Sequence, residues 1–123
     1  MNYLDFLTRV IDDGIAAATA DYKDAPNKLE GAVAGFEACR GKSPTELQKL
    51  FEVSNDRAHR AYVLEHDLNN YWRERCYALE VEWVCNVVSA TLLNQGLPLI
   101  ITPTARGYMK AAEILGVAGA LEN

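Results

Sequence analysis

Apolar residues recur at three- and four-residue steps along most of this chain. In the first twenty residues Leu4, Leu7, Ile11, Ile15 and Ala18 form such a stripe, and Tyr3, Phe6 and Val10 widen it. That period belongs to one face of an α-helix, so a helix is expected from Asn2 to about Ala20. Asn2 suits the cap, and Asp5 puts a carboxylate in the first turn, where the helix dipole favours negative charge. "DYKDAPN" then reads as a loop closed by Pro26. A second stripe, Leu29, Val33, Phe36 and Cys39, predicts a helix over 27–40, with Asn27 and Glu30 at the spacing of a capping box.

From Ser43 the periodicity runs on for some fifty residues, through Leu47, Leu50, Phe51, Ala58, Ala61, Tyr62, Leu68, Trp72, Cys76, Leu79 and Trp83. A straight helix over 44–95 would be about 78 Å long at 1.5 Å per residue, too long for a small compact domain. A break is therefore expected. "VSND" at 53–56 is the first candidate, because Ser54 or Asn55 can cap a new helix, and "DLNN" at 67–70 is the second. "LEVEWVCNVV" alternates in part and is rich in β-branched residues, which would suit a strand. The helical phase nevertheless continues through it without a jump. The run ends at "LLNQGLP", where Gly96 and Pro98 can stop a helix. "LPLII" is a short extended connector. The last helix is expected to be capped by Thr102, to carry Pro103 at its first position and to end before Gly116. The expected fold is all-α: one domain over 1–123, with four to six helices around a long central helix at about 68–95.

Half of the 123 residues are hydrophobic, enough for a core that needs neither disulfide nor metal. The net charge of −5 is spread along the chain without a charged tail, which disfavours nucleic acid as the main partner. Cys39, Cys76 and Cys85 are odd in number, form no Cys-x-x-Cys pair and sit among apolar residues, a pattern expected of free core thiols in a reducing, cytoplasmic setting. The N-terminal stretch lacks a signal-peptide apolar run, because Asp5, Arg9, Asp12 and Asp13 interrupt it. No window reads as a continuous membrane span of about 20 apolar residues.

"GFEACRGKSP" at 35–44 ends in the Gly-Lys-Ser of a phosphate-binding loop. Five residues separate Gly35 from Gly41, where that motif requires four, and no strand precedes them. The same residues read fully as a helix junction. Gly41 ends one helix, and Ser43, Pro44 and Glu46 form a capping box with proline at the first position of the next.

Other candidate chemistry is thin. His59 and His66 lie seven apart, and Asp56 and His59 have carboxylate–histidine spacing, but no second pair completes a di-metal site. Glu80 and Glu82 point to opposite sides of a helix, so with Glu65, Asp67 and Glu74 they do not make a magnesium cage. No metal or other cofactor is indicated. Arg57, Arg60, Arg73 and Arg75 among Tyr71, Trp72 and Tyr77 resemble a single-strand patch in composition, but Glu65, Asp67 and Glu74 neutralise it and Trp72 falls on the core phase.

Two arrangements carry the functional expectations. Arg75, Glu82, Asn86 and Ser89 form a polar stripe on a helix that is otherwise apolar nearly all round. Such a stripe is either the solvent side or, flanked by Trp83, Val84 and Val88, a self-association surface or a ligand cleft. His59, His66, Arg73 and Glu80 would align if the long helix were continuous, giving a polar ligand pocket. The primary expectation is a small helical interaction protein (adaptor, regulator or inhibitor) that forms a dimer. A ligand-binding bundle or enzyme is the alternative, and a weak nucleic-acid binder the third.

Overall fold

The computed structural model describes residues 1–116, 121 and 122. It is all-α, with helices α1 (Tyr3–Asp21), α2 (Pro26–Ala38), α3 (Pro44–Arg60), α4 (Leu68–Asn94) and α5 (Ala105–Leu115). A single π-helical turn, Ala61–Glu65, follows α3 directly.

Local chemistry sets most of the boundaries. Asn2 accepts from the Asp5 amide at 2.9 Å and starts α1. Ser43 and Glu46 form the full capping box of α3: the Ser43 hydroxyl accepts from the Glu46 amide, and the Glu46 carboxylate accepts from the Ser43 amide. Gly41 has φ 73°, as expected of a residue behind a helix end, so the Gly-Lys-Ser stretch is a junction between α2 and α3. The α4 terminus is a Schellman closure: the amide of Gly96, at φ 69°, reaches the Leu93 carbonyl, and the Leu97 amide reaches that of Leu92.

Three boundaries differ from expectation. The α2 cap position is Ala25, with Pro26 in the first turn, so Asn27 is already helical and caps nothing. The long helix does not break at 53–56. The Ser54 hydroxyl is buried and donates to the Phe51 carbonyl at 3.0 Å, bonding within its own helix instead of capping a new one. The break comes at the second candidate: His66 is left-handed (φ 55°), and the Asp67 carboxylate accepts from the amides of Asn69 and Asn70 to start α4. Finally, Thr104 rather than Thr102 caps α5, and Pro103 lies buried outside the helix.

α4 is the central helix. Its C-terminal half, Val84 to Leu92, is buried on every side, and it touches each of the other four helices. Among the described residues, α4 alone is long and apolar enough to cross a membrane, a property the sequence pattern did not suggest; 67% of its most apolar window is covered by the rest of the chain, as in a core helix. Against it pack Phe6, Leu7, Val10 and Ile11 of α1, Ala32 and Phe36 of α2, Leu47 of α3, and Ala111, Ile114 and Leu115 of α5. Leu4 and Trp72, both placed on the core phase by periodicity, are exposed instead.

The tightest approach is between α2 and α4. A Cβ added at Gly31 would fall on the Arg73 carbonyl oxygen, and one at Gly35 on that of Tyr77. "GAVAG" thus leaves a smooth strip, one turn long, on which the α4 backbone rests. Close helix contacts of this kind use residues without side chains to bring two backbones together.

Candidate functional site

The residues expected to form one pocket are not brought together. His59, His66, Arg73 and Glu80 would share a face only on an unbroken helix, and the turn at 61–67 removes that phase. His59 sits with Asn55, Tyr62, Tyr71 and Arg75 around a shallow hollow. His66 is exposed in the turn. The Arg73 guanidinium turns to α2, donating to Asn27 at 3.4 Å and lying 3.3 Å from the Glu30 carboxylate. Arg57 pairs with Glu74 at 2.8 Å, which ties up a second cation of the basic–aromatic patch.

The polar stripe of α4 also has a different use. Asn86 is 7% exposed and Ser89 not at all. Asn86 accepts from the Thr104 amide at 2.9 Å and donates to the Thr104 hydroxyl at 3.0 Å. The Ser89 hydroxyl accepts from the amides of Ile100 and Ile101. These side chains bond the 97–104 connector, whose backbone would otherwise be left unpaired. Val84 and Val88 are fully buried within the chain. The self-association face expected from Val84, Val88 and Ser89 is therefore not presented; of that group only Trp83 reaches the surface, while Glu82 is exposed and Arg75 half-exposed.

Two surfaces remain. The first is an apolar tip at the α3–α4 turn. Tyr62, Val63, Leu64, Leu68 and Trp72 are 62%, 42%, 69%, 68% and 42% exposed. Tyr62, Tyr71 and Trp72 form a chain of tilted aromatic contacts with centroids 5.2 and 5.1 Å apart. The Lys28 ammonium lies 4.4 Å over the Trp72 ring. Asp56, Arg57, Arg60, Glu65 and Asp67, in the same stretch of sequence, bring both signs of charge. Periodicity missed this surface because it assigned Tyr62, Leu68 and Trp72 to the core.

The second is a cleft of about 450 Å³ between α1, α4 and α5, floored by Phe36 of α2. Asp13 and Asp21 come from α1, Glu80 and Trp83 from α4, and Arg106 and Lys110 from α5. Lys110 reaches Asp13 at 3.0 Å, and Arg9 reaches the same carboxylate at 3.0 Å. Burial pushes the Asp13 carboxyl up, but hydrogen bonds from Lys110 and Arg9 outweigh it and hold the group below its ordinary range. Glu80 is the opposite case: burial, then the Asp21 charge, push its carboxyl up to about 7. Tyr22, at the same wall, is also raised by burial, with Cys76 and Glu80 adding to it. The Arg106 guanidinium lies 6.0 Å from the Trp83 ring centroid. Of the residues expected from the sequence to bind a ligand, Glu80 alone lines this cleft.

Among the described residues, no three His, Cys, Asp or Glu side chains converge where a metal ion could be held. The thiols of Cys39, Cys76 and Cys85 are free and buried. Burial raises all three above the usual thiol range, Cys85 to about 12. Comparison of the chain with protein families, with curated proteins and with solved structures finds no match.

Proposed function

We propose that this chain is a protein-interaction module that self-associates through the apolar tip at the α3–α4 turn. The observation that carries the reading is the run from Tyr62 to Trp72, which exposes five large apolar side chains in eleven residues. Contiguous apolar surface of this kind marks contact sites. Its composition fits as well, because Tyr, Trp and Arg dominate the energetic centres of interfaces and Tyr62, Tyr71, Trp72, Arg60 and Arg75 gather here. A second copy suits the surrounding charge. The flanking sequence carries both signs, Asp56, Glu65 and Asp67 with Arg57 and Arg60, so a second copy brings opposite charges to the contact. Three free buried thiols support a reducing, cytoplasmic setting for this role.

Light scattering coupled to size exclusion tests the reading. The expected mass at micromolar concentration is twice the 13.6 kDa of one chain. Leu64→Asp with Leu68→Asp is expected to return the monomer without changing the helical circular dichroism. A wild-type monomer at micromolar concentration refutes it.

A further inference from the structure

We propose that the cleft between α1, α4 and α5 binds a small zwitterion, with its ammonium group held by Asp21 and Glu80, its apolar stem laid on Trp83 and its anionic end on Arg106. The volume, about 450 Å³, lies within the ordinary range of ligand pockets. The charged groups of the cleft fall into two sets. Asp13 and Lys110 satisfy each other, and Arg9 adds a second cation to Asp13. Asp21, Glu80 and Arg106 have no hydrogen bond or ion pair to any described residue. Glu80 is a half-buried carboxylate without a partner, which is costly, and the charge of the exposed Asp21 carboxylate nearby adds repulsion. A ligand ammonium placed between them removes both penalties. Arg106 lies 6.0 Å from the Trp83 ring centroid, so a guanidinium and an aromatic ring border the same cleft.

The raised proton affinity of Glu80 agrees with this geometry, since burial and the Asp21 charge disfavour its anion and no cation is paired with it among the described residues. The groups facing Glu80 across the cleft are Asp21 and Tyr22 at the end of α1, Arg106 and Lys110 on α5, and Cys76 one turn back on its own helix. Binding of an ammonium therefore has to strengthen as pH rises past about 7, where Glu80 ionises.

Three compounds with one stem and different ends test the assignment: 5-aminopentanoate, pentylamine and pentanoate. The readout is the Trp83 indole N–H resonance during titration, with Trp72, at the far tip, as internal control. The aminopentanoate is expected to move Trp83 saturably and Trp72 not at all. Pentylamine should bind more weakly and pentanoate should not bind. Glu80→Gln should weaken both amines roughly tenfold, equivalent to about 1.4 kcal/mol, whereas Arg106→Gln should weaken only the aminopentanoate. Any of three results overturns the proposal: no saturable shift up to about 10 mM, weaker than any useful affinity; equal response to all three compounds; or unchanged binding in both variants.

Discussion

Asn86 in the middle of α4 and Thr104 at the head of α5 hold each other by two hydrogen bonds: the Thr104 amide donates to the Asn86 Oδ1, and the Asn86 Nδ2 donates to the Thr104 hydroxyl. The same hydroxyl accepts from the Gly107 amide and caps α5, so a single core side chain determines where the last helix starts. Removing it leaves the partly buried Thr104 amide unpaired. Asn86→Ala is expected to cost about 1–3 kcal/mol, seen as a melting temperature lowered by roughly 5–10 °C. Gly107 lies against the same amide, and a Cβ there would strike the Asn86 side chain. Gly107→Ala should therefore destabilise the wild type and do so much less in an Asn86→Ala background. Additive effects in that double-mutant cycle would show that the two positions are not coupled.

Gly31 gives a second prediction. In a solvent-facing helix position Gly→Ala gains about 1 kcal/mol from propensity. Here the obstacle is the Arg73 carbonyl, a backbone group that cannot turn aside. Gly31→Ala should lower stability by about 1–3 kcal/mol, as overpacking does, with the denaturant midpoint reduced and the m-value unchanged. A stabilised variant would mean that α2 and α4 can separate at no cost.

Most of this fold could be read from the chain, because helix ends depend on neighbours in sequence. Asn2, Ser43 with Glu46, Gly41 and Gly96 each do locally what their residue type suggests. The errors came where a distant group decides. Thr104 caps α5 because Asn86, eighteen residues away, holds it, and nothing near Thr102 or Pro103 shows that. Ser54 looked like a cap because serine often is one, but its hydroxyl is satisfied within α3. The candidate sites were harder still. The cleft joins α1, α4 and α5, and of the ligand-binding residues that the sequence predicts only Glu80 lies in it. The GxxxG-like spacing of Gly31 and Gly35 was a usable signal of close helix contact that periodicity of apolar residues alone passes over.

The three thiols give a simple probe of core integrity. Cys39 and Cys85 have no exposed surface and Cys76 almost none. Thiolate is the reactive form, and burial holds Cys85 near 12, with Cys39 and Cys76 also raised. At pH 8 a thiol reagent should label none of them in the native protein within minutes, and all three in guanidinium chloride. Rapid labelling of one cysteine under native conditions would locate a region that opens locally at low cost.

Glu80 sets the expected pH dependence. Its carboxyl holds a proton up to about 7 in the folded chain because burial and the Asp21 charge disfavour the anion, whereas the unfolded group ionises near the ordinary glutamate value of 4.5. Between those values the folded state binds more protons than the unfolded state, so this group's contribution to stability falls as pH rises through that window and is lost above about 7. Glu80→Gln removes the ionisation and keeps the shape. Near pH 4.5 the variant and the wild type should melt together. At pH 8 the variant should be the more stable, by on the order of 1–2 kcal/mol once solvent screening of a partly exposed carboxylate is allowed for. In melting scans the gap should open to roughly 3–8 °C between those two values. A constant difference at every pH would place the Glu80 charge in water rather than in the cleft wall. A variant less stable at pH 8 would mean that the anion has a cationic partner in the folded protein.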